Sequence, residues 1–214
     1  HITKDGSIAG PRILEHMVDV VLYFEGDSSR ELRMLRGFKN RFGSTSEVGI
    51  FEMSENGLIS ANDVAGKFFT RGKATSGSAI TITMEGSRAL SVEIQALVCE
   101  SAYPKRSSTG YEKNRLDVFI NVSGGVKISE TAADLAVVAA IISSFKNRPI
   151  SKESVFMGEL SLNGEIREIF NLDQRLKEAK TQKFKNAIVP SKPLDAQGLK
   201  CFVAGDITQV LEWM

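Results

Sequence analysis

The stretch "GELSLNGEIREIFNLDQRLKEAKTQKFKNAIVP", Gly158 to Pro190, decides the fold class of this chain. Asn163-Gly164 lies between two short segments, and this dipeptide accepts the positive φ values of a tight two-residue turn, so it predicts a hairpin. Asn171 to Phe184 is rich in helix formers, with Leu172, Leu176 and Ala179 recurring on one side of a 3.6-residue period. "NAIVP" then reads as a short strand. Hairpin, helix and strand in close succession describe a mixed α/β domain.

The same texture extends upstream. From Thr131 to Phe145 an Ala, Leu, Val and Ile run predicts a mostly buried helix, with Ser129 as its N-cap and Pro149 beyond its end. Asp134 sits inside that run. A buried carboxylate is costly without partners, so backbone N–H groups of the preceding Gly-rich loop, or a polar seam, are expected around it. "SAITITMEGSRALSVEIQALVCESAY" alternates apolar and polar residues. Ile80, Ile82 and Met84, then Val92, Ile94, Ala96 and Val98, predict two strands joined at Glu85–Arg88. "DVFINVSG", Asp117–Gly124, predicts another strand, and Asp206 to Trp213 a closing helix.

The first part differs. "VDVVLYFEG", Val18–Gly26, reads as a buried strand after a helical turn around Ile13 to Met17. "LRMLRGFKNRFG" and "EVGIFEM" suit a strand pair, Asn56-Gly57 a turn, and Asn62–Phe69 a short helix. "TRGKATSG" has linker composition. The expected boundary is near residue 72, giving parts 1–72 and 73–214.

Composition narrows the function classes. Of 214 residues, 42% are hydrophobic and 25% charged, which is globular composition with enough apolar side chains for a core. No apolar run approaches the length of a membrane span, and the start, "HITKDG", has no secretion-signal pattern. It reads as the middle of a longer protein. A formal charge of +1 gives no bulk argument for nucleic acid, so only local patches can support one. Cys99 and Cys201 stand far apart and neither is in a CxxC pair, so no metal site is expected. There is no GxxxxGK[ST] phosphate loop; "SGGVKIS" reads as a turn before a helix. There is no GxSxG, and His16 beside Glu15 reads as a surface or packing residue.

The basic residues cluster. Arg30, Arg33, Arg36, Lys39 and Arg41 fall close together, Arg71 and Lys73 sit in the linker, and Lys105, Arg106, Lys113 and Arg115 flank a polar loop. Such groups hold phosphates without reading bases, or they form a solvated face. Lys39 and Arg41, two residues apart at a strand end, fit a phosphate contact, including one supplied across a subunit interface.

"HITKDGSIAGPRILEHMVDVVLYFEGD" and "LRMLRGFKNRFGSTSEVGIFEM" together resemble the bacterial RadA (Sms) family of DNA repair proteins, whose signature is the run "KNRFG", Lys39 to Gly43. The resemblance covers essentially the whole chain. It implies the terminal part of a RecA-like ATPase core, followed by a mixed α/β Lon-protease-like domain. For the whole protein it implies a hexameric, ATP-dependent ring motor that promotes branch migration on DNA with the RecA recombinase. This segment would supply the KNRFG motif and a domain for DNA binding and scaffolding. ATP and Mg²⁺ belong to the full-length protein, and Zn²⁺ to an N-terminal finger outside this chain. None is expected on this segment alone. A bacterial cytoplasmic location follows from the same resemblance.

For the residues, the resemblance implies that Lys39, Asn40, Arg41, Phe42 and Gly43 lie at a subunit interface near nucleotide. Lys4 belongs to the segment after a DNA-contacting loop. Basic surface residues (Lys4, Arg71, Lys73, Lys105, Arg106, Lys113, Arg115) become DNA-binding candidates. Gly158–Pro190 follows the pattern of Lon-type proteases, in which a serine and a lysine form the catalytic dyad. The serine position falls at Ala133 and the lysine position at Asp173, so the fold is expected without the protease chemistry. A purely structural ring-forming module is the alternative reading, and a Ser–Lys peptidase the remote one. Family members carry a further stretch between the counterparts of Leu116 and Asp117, so a break in the strand is expected at that join.

Overall fold

The computed structural model describes residues 11–25, 32–55, 57–60, 68–70, 72–101, 115–126 and 128–214. The chain forms two compact units, 1–64 with 85–88, and 65–84 with 89–214.

The first unit contains helix α1 (Pro11–Met17) and an antiparallel four-stranded sheet in the order β1 (Val20–Glu25), β2 (Leu32–Asn40), β3 (Val48–Ser54), β4 (Gly57–Ser60). The strand pair expected from "LRMLRGFKNRFG" and "EVGIFEM" is present, in the register Leu32↔Glu52 to Arg36↔Val48. Gly57 opens β4 at φ 102°, where the Asn56-Gly57 turn is expected. The expectation of a buried first strand is corrected: Leu22 and Phe24 on β1 are both about half exposed. Residues on β1 are apolar because they form a sheet face, and apolar content alone does not tell whether that face is covered. The register of β1 on β2 slips between Val21 and Leu22, leaving Phe38 as the unpaired bulge residue of β2, just before the KNRFG run.

The second unit is built on a six-stranded mixed sheet. Its strands are β5 (Ser78–Glu85), β6 (Arg88–Glu100), β7 (Leu116–Val122), β8 (Ser154–Phe156), β11 (Asn186–Val189) and β12 (Lys200–Val203). They lie in the order β12-β11-β8-β5-β6-β7. A separate hairpin, β9 (Glu159–Leu160) with β10 (Ile166–Arg167), closes where Asn163-Gly164 predicts it, but not through a two-residue turn: the loop is 161–165, only Gly164 of the pair has a positive φ, 93°, and its N–H donates to the Ser161 carbonyl at 3.0 Å. Helices α2 (Asp134–Phe145), α3 (Leu172–Thr181) and α4 (Ile207–Trp213) complete it. The α/β class is as expected.

Two core clusters flank this sheet. Leu135, Ala136, Ala139 and Ala140 of α2 pack with Ile94, Phe156 and Ile188. Leu176 and Ala179 of α3 pack with Ile80, Ile82, Val155 and Val189. Alternation along β5 and β6 sends successive side chains to opposite faces, and both faces are covered.

Three local expectations change. Ser129 does not cap α2; a 3₁₀ turn, Thr131–Ala133, leads into it, and the cap position Ala133 offers no side-chain oxygen. Asp134 accepts from the N–H of Leu160 on β9 (3.4 Å), and from no N–H of the Gly-rich loop among the described residues. β7 runs without a break through Leu116 and Asp117, which pair with Glu100 and Cys99. Backbone pairing to β6 holds that strand whichever residues precede it. The expected helix at Asn62–Phe69 falls mostly outside the described residues. Its end is described: Phe68 and Phe69 are buried, and the Phe68 carbonyl accepts from the N–H of Glu93 at 2.9 Å.

Candidate functional site

The KNRFG run forms a turn at the end of β2. Asn40 shapes it: its Oδ1 accepts from the N–H of Phe42 (3.0 Å), and its Nδ2 donates to the carbonyl of Ser44 (3.3 Å). This is an Asx turn, the local geometry for which asparagine is favoured. A Cβ on Gly43 would come within 3.4 Å of that amide. The turn presents Phe42 outward, 80% exposed.

The two cations each have partners within the chain. The Lys39 ammonium donates to the carbonyls of Glu15 (3.0 Å) and His16 (3.5 Å), in the last turn of α1. Carbonyls at a helix C-terminus lack intrahelical donors and carry partial negative charge, so a lysine there is favourable. The Arg41 guanidinium pairs with Asp19 at 3.1 Å, and the Arg41 N–H donates to the Asp19 carbonyl at 3.1 Å. Both cations therefore hold the segment Glu15–Asp19. Of the neighbouring basic cluster, Arg36 is also engaged: it pairs with Glu25 (2.9 Å) and, in a short contact, with Glu85. The hydrogen bond to Glu85 raises the Arg36 pKa above its ordinary value.

In the second unit, both residues at which the family resemblance implies the Lon-type dyad are described. Ala133 is buried at the entry to α2, and Asp173 is exposed in the first turn of α3. A methyl group cannot attack a carbonyl, and an exposed carboxylate cannot replace an amine as general base. The nearby hydroxyl of Thr131 donates to Glu159 at 2.6 Å.

Near both positions in the sequence, Glu130 and Arg175 form an ion pair absent from the sequence-based expectations. Arg175 of α3 is 1% exposed. Its Nη1 and Nη2 donate to the two oxygens of Glu130, at 2.7 and 2.6 Å. Nη1 also donates to the carbonyl of Ile82 (2.5 Å), and Nε to that of Phe170 (3.0 Å). Glu130 also accepts from the N–H of Met84 at 2.9 Å. Burial pushes the Glu130 pKa up, but the Arg175 and Met84 hydrogen bonds outweigh it, and the carboxyl titrates below its ordinary value. The signal was present in the sequence: Arg175 falls on the same helix side as Leu172, Leu176 and Ala179.

A second buried network centres on Glu93. Its Oε1 accepts from Lys152 Nζ (2.5 Å) and Ser78 Oγ (2.6 Å), and its Oε2 from the N–H of Thr70 (2.9 Å). Burial again opposes ionisation, and these donors again hold the pKa low. Glu93 thereby ties the segment after Phe69 to β6.

Of the DNA-binding candidates, Lys73 and Arg115 are described. Both are exposed, and neither has an acidic partner among the described residues. Lys4, Arg71, Lys105, Arg106 and Lys113 lie outside the described residues. Among the described residues no cluster of His, Cys, Asp and Glu has metal-binding geometry, and no helix is long and apolar enough to cross a membrane.

A family model for subunit ChlI of Mg-chelatase matches residues 89–193, within the second unit. Among curated proteins, the chain is 73% identical to the DNA repair protein RadA of Campylobacter jejuni, over all of this chain and 52% of that protein. It is 56% identical to the RadA of Helicobacter pylori, over all of this chain and 52% of that one. With the RadA of Bacillus subtilis it shares 42% identity, over 99% of this chain and 52% of the relative. The chain thus spans about half the length of the curated relatives it matches. The Campylobacter alignment extends over 232 residues against the 214 of this chain, so that relative has residues without counterparts here. Identity at this level along the whole chain, from the KNRFG turn to α4, means that the chain belongs to the RadA family and corresponds to its C-terminal half.

Proposed function

We propose that this chain is the C-terminal part of a DNA repair protein, and that the whole protein is a hexameric, ATP-dependent ring motor that promotes branch migration in recombinational repair alongside the RecA recombinase. The first unit is the end of the RecA-like core and supplies the KNRFG turn. The second is a Lon-protease-like domain that has exchanged peptide hydrolysis for scaffolding and DNA contact. The bacterial cytoplasm is the corresponding location. The observation that carries this reading is the identity to RadA proteins along the full chain.

The geometry supports a division of labour. A turn built by Asn40 and projecting Phe42 suits a contact with another subunit. At the dyad positions Ala133 and Asp173 leave no nucleophile and no amine, while the surrounding fold is retained through Arg175 and Glu130. ATP and Mg²⁺ would be held by the preceding core, since this chain has no phosphate loop, and Zn²⁺ by the N-terminal finger.

The test is anisotropy of labelled single- and double-stranded DNA with this chain across a salt series. Binding is expected to weaken steeply with salt. Neutralising Lys73 and Arg115 together should reduce the log–log slope by about one unit for each phosphate no longer neutralised. The second reading, a ring-forming module without DNA contacts of its own, is favoured by the internal engagement of Lys39 and Arg41. No binding at low salt by folded protein would establish it in place of the first.

A further inference from the structure

The second unit contains a pocket of about 200 Å³ that neither the KNRFG turn nor the dyad positions use. Phe69 and Phe184, both buried and with ring centroids 5.1 Å apart, give it an apolar wall. Lys152, Glu153, Gln182 and Lys183 supply its polar lining.

The two lysines are placed differently. Lys152 is largely buried, its side chain 12% exposed, and its ammonium donates to Ser78 Oγ (2.7 Å) and Glu93 Oε1 (2.5 Å). An ammonium has three N–H donors. The third has no partner among the described residues and is free to donate to water or to a group held in the pocket. Lys183 is exposed and has no acidic partner among the described residues. It holds the left-handed position after α3, at φ 58°, where glycine is usual. The N–H of Phe184 donates back to the Ala179 carbonyl at 3.0 Å, turning Phe184 into the core.

The charges leave a surplus of one. Glu93 offsets Lys152, and Glu153 is paired with Lys185 at 2.7 Å, so the Lys183 charge stands alone among the described residues of the lining. An anion is therefore favoured, and a compact one, given the volume. A tetrahedral oxyanion presents acceptors in several directions, which suits one donor from within the pocket and others from a separate lysine.

We propose that this pocket is a binding site for a phosphate group, either inorganic phosphate or the terminal phosphate of a nucleic-acid strand. It does not depend on the second unit binding DNA along a duplex, because inorganic phosphate alone tests it.

The experiment follows the thermal unfolding of the full chain by Trp213 fluorescence while inorganic phosphate replaces chloride at constant ionic strength. A saturable rise in Tm is expected. Lys183→Gln should leave the phosphate-free Tm unchanged and raise the half-saturating phosphate concentration at least about tenfold, corresponding to the removal of one charge-assisted hydrogen bond. Lys177→Gln, on α3 but outside the pocket lining, should respond like the parent. The general stabilising effect of phosphate salts is common to all three proteins, so their difference reads the site. A response without saturation, or one that Lys183→Gln leaves intact, overturns the proposal. Competition by a 5′-phosphorylated trinucleotide, and not by its 5′-hydroxyl form, assigns the site to strand ends; absence of competition, with phosphate still saturating, assigns it to the free anion. DNA binding in the salt series above can fail while this site stands, and the reverse.

Discussion

Arg175 and Glu130 meet through two parallel hydrogen bonds, 2.7 and 2.6 Å, that fasten α3 to the segment entering α2. The arginine is fully buried, whereas Glu130 keeps a quarter of its side chain accessible. Removing one partner strands a buried charge. Glu130→Ala is expected to destabilise the second unit by about 3–5 kcal/mol. Urea unfolding followed by Trp213, the single tryptophan, measures this. The double variant Glu130→Leu with Arg175→Met should recover much of the stability; a double variant no more stable than Glu130→Ala would show that the pair is not the cause.

The buried carboxylates predict opposite pH responses. Glu93 and Glu130 have folded pKa values below their ordinary ones. Their stabilisation is complete above the unfolded value of about 4.3 and is lost as pH falls through the folded values. Asp134 is raised, by burial and then by the neighbouring charge of Glu159, against the Leu160 hydrogen bond. The folded state therefore binds its proton more readily than the unfolded state does, and stability falls as pH rises through the interval above about 3.9. Glu93→Gln should flatten the acid limb of a stability–pH curve and Asp134→Asn should steepen it. The same change in both would contradict these signs.

Gly77 is required by its backbone. It lies at φ 80°, and a Cβ there would sit 2.3 Å from the carbonyl oxygen of Ala96. That oxygen belongs to β6 and cannot swing aside like a side chain. Gly77→Ala should cost about 1–3 kcal/mol or more, whereas Gly198→Ala, with a similar φ and open space around it, should cost less. Equal costs at both positions would mean that φ alone decides.

At the KNRFG turn, Arg41 and Asp19 are both mostly exposed, 66% and 53%. Arg41→Ala should change stability by less than about 1 kcal/mol. Asn40→Ala removes the acceptor for the Phe42 N–H, and hydrogen exchange at that amide should quicken while exchange in β3 stays unchanged. Faster exchange throughout the sheet in Arg41→Ala would assign that arginine a structural role.

The local elements were legible where chemistry is local. Asn163-Gly164 marks the place of a hairpin though not its loop length, the alternation of Ile80 to Met84 and Val92 to Val98 specifies two strands, and Leu172, Leu176 and Ala179 mark a helix side. Each depends on residues a few positions apart and on backbone geometry common to all chains. The sequence also carries the KNRFG run, and Ala133 and Asp173 where the family resemblance implies a serine and a lysine.

Partnerships at long range were not legible. Whether Lys39 faces a ligand or the end of α1, whether Asp134 bonds a preceding loop or β9, and whether Ser129 caps a helix all depend on which distant groups arrive within about 3 Å, and sequence spacing does not encode that. The pocket arises in the same way, since Phe69, Lys152 and Lys183 are far apart in the chain. The α/β class and the places of the turns follow from residue type and period, and so could be read along the chain; the missing nucleophile was read only through the family resemblance. Which charges are paired and which stay available was settled by folding alone, because in a low-dielectric interior each buried charge depends on the neighbour that the fold brings to it.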